Sequence, residues 1–285
     1  MDTASVSSVL PAPSGSKLTR FTLVRILLAL LAVCVPVALV LVLSNQIPDK
    51  ALRAYWPPLL AALAGYGGYL FYLRRIEGRD ALELRGPGSA RELGAGAAFG
   101  ALMFLAALGM LAAAGVYGFT GTGDPAVLLK SATEMVFVAL VEEILFRGVL
   151  FRLPERALGT RLALVVSAAI FALAHLPNEG VTLLAVVNTA LAGLLFAAAY
   201  LATRRLWLPI GMHFAWNFVS DGLFSLPTSG HPARGLLQGR LAGPEWLTGG
   251  AYGLEASVVT FVVMGAASVV LLRRAARAGH LLPRP

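Results

Sequence analysis

Apolar residues run along this chain in long, nearly unbroken stretches, separated by short polar segments that carry most of the arginines. A membrane-crossing helix needs about 20 predominantly apolar residues. Eight stretches answer to that pattern, with ends placed to within several residues: Phe21–Leu43, Tyr55–Leu73, Gly94–Phe119, Pro125–Leu150, Leu162–Leu176, Val181–Leu201, Leu206–Phe224 and Leu254–Leu272. Eight spans take up about 160 residues and leave the remainder for loops and tails. A transmembrane barrel would instead alternate polar and apolar positions in segments of about ten residues. Phe21–Leu43 is too long for a secretory signal and lacks an A-x-A cleavage site, so it reads as a retained first span.

The expected fold is therefore all-α, a polytopic membrane protein with about eight transmembrane helices. It divides into a polar N-terminal tail (1–20), a single helical domain (21–273) and a basic C-terminal tail (274–285). No internal repeat is evident, which argues against a transporter of duplicated halves. The Gly- and Pro-rich stretch from Ser225 to Gly250 reads as a long external loop.

Composition strengthens this picture. Apolar residues make up 58% and charged residues 13%, against roughly 45–50% and about 25% in a soluble domain. The net charge of +8 raises nucleic acid as a partner, but the basic residues sit in clusters between apolar runs rather than on one face of a soluble module. The clusters are Lys17 and Arg20; Arg74, Arg75, Arg79, Arg85 and Arg91; Arg152, Arg156 and Arg161; Arg204 and Arg205; and Arg273, Arg274 and Arg277. Threaded through eight spans, all five fall on one side. By the positive-inside rule that side is cytoplasmic, with both termini there, although Lys50, Arg53, Arg234 and Arg240 fall on the other. The lone cysteine, Cys34, lies inside the first span, forms no intrachain disulfide and reads as a packing residue.

Ionisable side chains within a bilayer are costly and therefore mark candidate sites. The fourth span carries Glu134, Glu142, Glu143 and Arg147, the fifth His175, and the seventh His213, Asn217 and Asp221. Glu143 and Arg147, four apart, meet on one helical face, while Glu142 points about 100° away. An arginine fork holds one carboxylate and leaves Glu142 free; the competing reading is a helix-stabilising pair whose arginine snorkels to water. His213 and Asn217, also four apart, present two hydrogen-bond donors on one face, suited to an oxyanion or simply to interhelical bonding.

The set as a whole points to hydrolysis. Glu142, assisted by His175, would deprotonate a water that attacks an amide carbonyl. His213 and Asn217 would hold the oxyanion, and Glu143 with Arg147 would orient the turn carrying Glu142. Glu134, two turns before Glu142, would line the same cavity, contact substrate or bond a neighbouring helix, and Asp221 falls near the external end. His231 and His280 read as solvated.

Glu-Glu-x-x-x-Arg at Glu142, Glu143 and Arg147, Phe-x-x-x-His at Phe171 and His175, and His-x-x-x-Asn at His213 and Asn217 resemble the CPBP family of CAAX proteases and bacteriocin-processing enzymes, also called Abi. That group includes the Ras-converting endopeptidase. Leu206-Trp207-Leu208-Pro209-Ile210 adds to the likeness, and the three motifs follow in order over about 75 residues. The resemblance implies an eight-helix intramembrane endopeptidase of the cell membrane, with a site open toward the cytoplasm, a glutamate-activated water and no required metal. Its implied partner is a membrane-associated protein or peptide within the lipid bilayer, with no role for nucleic acid. Family members clip prenylated C-terminal tails, process bacteriocin leaders or trim C-terminal anchoring helices.

Zinc is the rival cofactor, since Glu142, His175 and His213 would supply three ligands to an open site. Other protease classes fit less well: there is no His-Glu-x-x-His, and Gly121-Thr122-Gly123-Asp124 matches the aspartyl Gly-x-Gly-Asp without a second intramembrane aspartate at a suitable place. A proton-coupled transporter would use the same Glu and His residues, and a scaffold would keep the pattern without turnover.

Overall fold

A computed structural model describes residues 21–50 and 52–284. Lys17, Arg20 and the tail 1–20 lie outside the described residues. The chain is mostly helical, at 70%. In order the elements are α1 (Thr22–Asn45), α2 (Trp56–Arg75), α3 (Ser89–Ala113), β1 (Tyr117–Thr122), α4 (Ala126–Glu143), α5 (Arg152–Leu158), α6 (Thr160–Ala174), α7 (Leu183–Thr203), α8 (Trp207–Phe218), β2 (Leu237–Leu241), α9 (Glu245–Thr248) and α10 (Val258–Arg277). Among the described residues, α1, α3, α7 and α10 are long and apolar enough to cross a membrane, and α6 is a shorter apolar helix.

The structure corrects the sequence reading in five places. The third stretch stops being helical at Ala113 rather than Phe119, because Gly115 turns the chain at φ 71° and the aromatic and Thr residues that follow form β1. β1 pairs antiparallel with β2, register Tyr117 to Leu241, with a bulge between Phe119 and Gly121. The fold is thus not purely α, and the stretch 225–250 contains a paired strand. The short helix α5 interrupts the segment read as a loop, and α10 runs through residues 274–277, which the sequence assigned to the tail. Cys34 is exposed on α1 rather than packed inside.

Two helices change pitch where chemistry is expected. α4 continues as a π turn at Ile144–Val149, and α8 continues as one at Val219–Leu223. Such wide turns are rare and concentrate at functional sites.

The helix ends form two distinct poles. At one, the ends of α2, α5, α7 and α10 are tied together by arginines. Arg25, Arg79 and Arg152 converge on Glu77, and Arg79 and Arg152 also reach Glu83. Arg204 pairs with Glu155 and also donates to the His280 carbonyl, and Arg205 pairs with Glu92. Burial alone would raise the Glu77 and Glu83 carboxyls, but Arg152 and Arg79 outweigh it and hold each at about 2. Arginines that the sequence treats only as topology signals are therefore structural as well. The opposite pole is built from the β1–β2 pair, the 175–182 turn and the loop from 224 to 257.

α8 is held against α3 by glycines. A Cβ at Gly96 would lie 2.2 Å from the Leu208 carbonyl oxygen, and one at Gly100 2.3 Å from that of Met212. This small-x-x-x-small contact sets the position of the helix that carries His213.

Candidate active site

Glu142 and Glu143 close α4 at the point where the helix widens, and their side chains meet different surroundings. Glu143 is fully buried. Its Oε1 accepts from Arg147 Nη1 at 2.9 Å and faces His213 Nδ1 at 2.9 Å. The i,i+4 ion pair expected from sequence is present, and it extends to a residue on α8. Arg147 is also fully buried, so it does not snorkel to water. Its guanidinium lies over the rings of Phe171 at 4.6 Å, Phe196 at 5.0 Å and Phe146 at 5.8 Å, and its Nη2 donates to the Gly193 carbonyl at 3.2 Å. Aromatic faces and a carbonyl compensate a cation that the interior would otherwise reject.

Glu142 is partly buried, and its Oε2 is shielded from solvent with no hydrogen-bond partner. It lines a cavity of about 540 Å³ together with His175, His213 and Asn217. The structure therefore brings the free carboxylate, both histidines and the asparagine of the sequence reading around one space.

Each histidine has Nδ1 engaged. His175 Nδ1 lies 2.8 Å from the Phe171 carbonyl, and since a carbonyl only accepts, Nδ1 carries the proton and Nε2 is left with its lone pair. The Phe-x-x-x-His spacing is thus the hydrogen bond itself, with the two rings 4.5 Å apart. His213 stacks on Phe196 at 4.7 Å and gives Nδ1 to Glu143, so its Nε2 is the free atom. The Asn217 carboxamide is buried, makes no hydrogen bond to another described residue and lines the cavity.

The remaining sequence candidates fall as follows. Glu134 lines the same cavity, with Lys130 Nζ 3.8 Å away. Asp221 also lines it and accepts a hydrogen bond from Ser131 rather than standing free in water. His231, read as a solvated loop residue, is exposed at the rim. His280 is packed, with Nδ1 2.7 Å from the Leu201 carbonyl. Asp124 sits in an exposed turn, accepts from the Ala126 N–H at 2.9 Å and is not among the residues lining the cavity.

Glu255 escapes the sequence reading. Its Oε1 accepts from Trp216 Nε1 at 3.0 Å and its Oε2 from the Ser229 N–H at 2.6 Å, clamping α8 to the loop that borders the cavity. The signal was available, because Glu255 falls within the stretch Leu254–Leu272 and an ionisable residue in an apolar run was the criterion that selected Glu142.

With that geometry in place, comparison with known families is decisive for one segment. The family described as type II CAAX prenyl endopeptidase, Rce1-like, matches residues 124–219. Over residues 124–219 the chain is similar to that family. The Rce1-like segment runs from the turn before α4 to the end of α8 and contains Glu142, Glu143, Arg147, Phe171, His175, His213 and Asn217. No curated protein and no solved structure matches the chain.

Among the described residues, no three His, Cys, Asp or Glu side chains converge as a metal-ligand set, and that includes Glu142, His175 and His213. The Glu143 carboxylate, the nearest carboxylate to His213, is already committed to Arg147.

The cavity also has a direction. Its outer lining comes from Asn178, Thr228, Ser229, His231 and Pro232, all at the β1–β2 pole, and no arginine lines it. α6 explains this: with 15 residues it rises about 22 Å from the arginine pole, and His175 caps its far end. The cavity lining and the arginine-rich helix ends thus lie toward opposite ends of the bundle.

Proposed function

We propose that the chain is an intramembrane endopeptidase that uses a glutamate-activated water, with α1, α2, α3, α4, α6, α7, α8 and α10 crossing the bilayer. The observation that carries this reading is the division of labour between neighbouring carboxylates. Each has an unpartnered Oε2, but Glu143 spends its Oε1 on Arg147 and His213 and lies outside the cavity lining, whereas Glu142 lines the shared cavity.

In this mechanism a water between Glu142 and His175 Nε2 gives its proton to Glu142 as its oxygen attacks the peptide carbonyl carbon. The carbonyl oxygen becomes an oxyanion. Asn217 donates its amide N–H to that oxyanion, and His213 donates from Nε2 when doubly protonated, with Glu143 as its counter-ion. The adduct collapses with cleavage of the C–N bond, and the proton held by Glu142 passes to the leaving nitrogen. Phe171 fixes the His175 ring, and Arg147 fixes Glu143 and through it His213.

The reading routes every step through this chain's own side chains and calls on no metal. Membranes containing the wild type should still cleave after dialysis against a chelator, and the Glu142→Gln variant should fold but not cleave. Activity lost with the chelator and restored by zinc would overturn the metal-free part, and full activity in Glu142→Gln would remove Glu142 from the mechanism. A transporter would need Glu142 for flux while cleaving nothing, and a scaffold would tolerate Glu142→Gln.

A further inference from the structure

A second cavity, of about 310 Å³, lies among the arginine-rich helix ends and shares no lining residue with the cavity of Glu142. Arg79, Arg152, Arg156 and Arg204 line it, and Leu82 and Tyr200 supply apolar wall. The charges around it do not balance. Arg25, Arg79 and Arg152 share Glu77 and Glu83, and Arg204 pairs with Glu155. Arg156 makes no ion pair or hydrogen bond among the described residues. Five guanidiniums therefore face three carboxylates, a surplus of two positive charges. Burial, and after it the Arg152 charge, lower the pKa of the half-buried Arg156 guanidinium. A cation left uncompensated in such surroundings is costly, and an anion beside it removes that cost.

The surplus and the donors select the kind of anion. A single carboxylate would cancel half of the surplus. A phosphate monoester carries about −1.5 to −2 charge near pH 7 and three strong acceptor oxygens, and guanidinium forks engage phosphate oxygens in pairs.

The position selects its setting. α7 and α10 are both long and apolar enough to cross a membrane. The cavity lies at their ends, with Tyr200 and Arg204 from the end of α7 and His280 from just beyond α10. Basic pockets between membrane helices at that level hold lipid head groups. The segment after α10 forms one wall and is fixed in place: the Leu282 N–H donates to Thr160 Oγ1 at 2.7 Å, and the Leu282 carbonyl accepts from the Thr160 N–H at 3.1 Å.

We propose that this cavity is a binding site for a phosphate group, carried by an anionic membrane lipid or free in solution, with Arg156 as its principal donor. The site stands apart from the peptidase reading, because no residue around Glu142 takes part in it.

The test uses the full chain in a neutral detergent and reads the midpoint of thermal unfolding. Two probes are added at matched ionic strength: inorganic phosphate, and phosphatidic acid in phosphatidylcholine micelles, with phosphatidylcholine alone as the blank. At least one probe should raise the wild-type midpoint saturably, and Arg156→Gln should weaken its apparent affinity about tenfold or more. Arg277→Gln removes an exposed charge at the end of α10, outside the cavity, and should respond as the wild type does. A response to phosphatidic acid alone assigns a lipid source, and one that inorganic phosphate reproduces assigns a soluble source. Without either probe, Arg156→Gln should melt no lower than the wild type, since it breaks no contact. A lower melt would make Arg156 a structural residue and overturn its role. No saturable shift with either probe, or equal shifts in the wild type and Arg156→Gln, would overturn the site.

Discussion

Glu143 Oε1 lies 2.9 Å from His213 Nδ1, joining the end of α4 to the middle of α8 through one buried carboxylate. The same oxygen receives Arg147. Two adjacent glutamates thus have separable tasks, one in the cavity and one beneath it, and substitution should separate them.

Replacing Glu142 with Gln keeps the shape and removes the base. General base catalysis contributes about 10²–10⁴-fold, so turnover should fall by at least that much with thermal stability unchanged. Circular dichroism melts run beside a cleavage assay check both halves.

Glu143→Gln should behave differently. Losing one partner of a buried ion pair costs about 3–5 kcal/mol, so the midpoint of unfolding should drop, and His213 should lose its orientation. The loss of kcat should be accompanied by a loss of stability that Glu142→Gln does not show. Equal melting curves for the two variants would contradict the assigned network.

Asn217→Ala removes a donor that has no structural partner. Deleting one oxyanion donor costs about 10²–10³ in kcat, and KM and stability should change little. A large destabilisation instead would mean that Asn217 is an interhelical bond.

Some of this arrangement was legible in the sequence. The four-residue spacings of Glu143 with Arg147, Phe171 with His175 and His213 with Asn217 each correspond to a shared face or a direct contact. The link from Glu143 to His213 was not legible, because it joins residues 70 apart and depends on how α3 and α8 pack. The π turns, the β1–β2 pair and the direction of the cavity were hidden for the same reason: apolar run lengths report helices but not their pitch, their ends or the space between them. Glu255 is visible in the sequence as an ionisable residue in an apolar run.

The α3–α8 contact is itself testable. Gly100→Val would drive side-chain atoms into the Met212 backbone, where even a Cβ lies at 2.3 Å. It should lower stability by several kcal/mol by overpacking and displace His213, whereas Gly109→Val on the same helix, with open space around it, should be tolerated. Thermal melts of the two variants make the comparison.

Acid should loosen the arginine pole. Glu77 and Glu83 are held at about 2 by Arg152 and Arg79 against the opposing effect of burial, while the unfolded carboxylates titrate near 4.3. Their contribution is therefore complete above about pH 4.3 and is lost as pH falls towards 2. A Glu77→Gln variant should show a weaker decline in melting temperature across that interval than the wild type.

The most direct test of the central claim compares protein termini in membrane and exported fractions from cells making either the wild type or Glu142→Gln at equal levels. The account predicts at least one new terminus that is present with the wild type and absent with the variant, matched by accumulation of the uncut precursor. Identical termini in the two strains would contradict it.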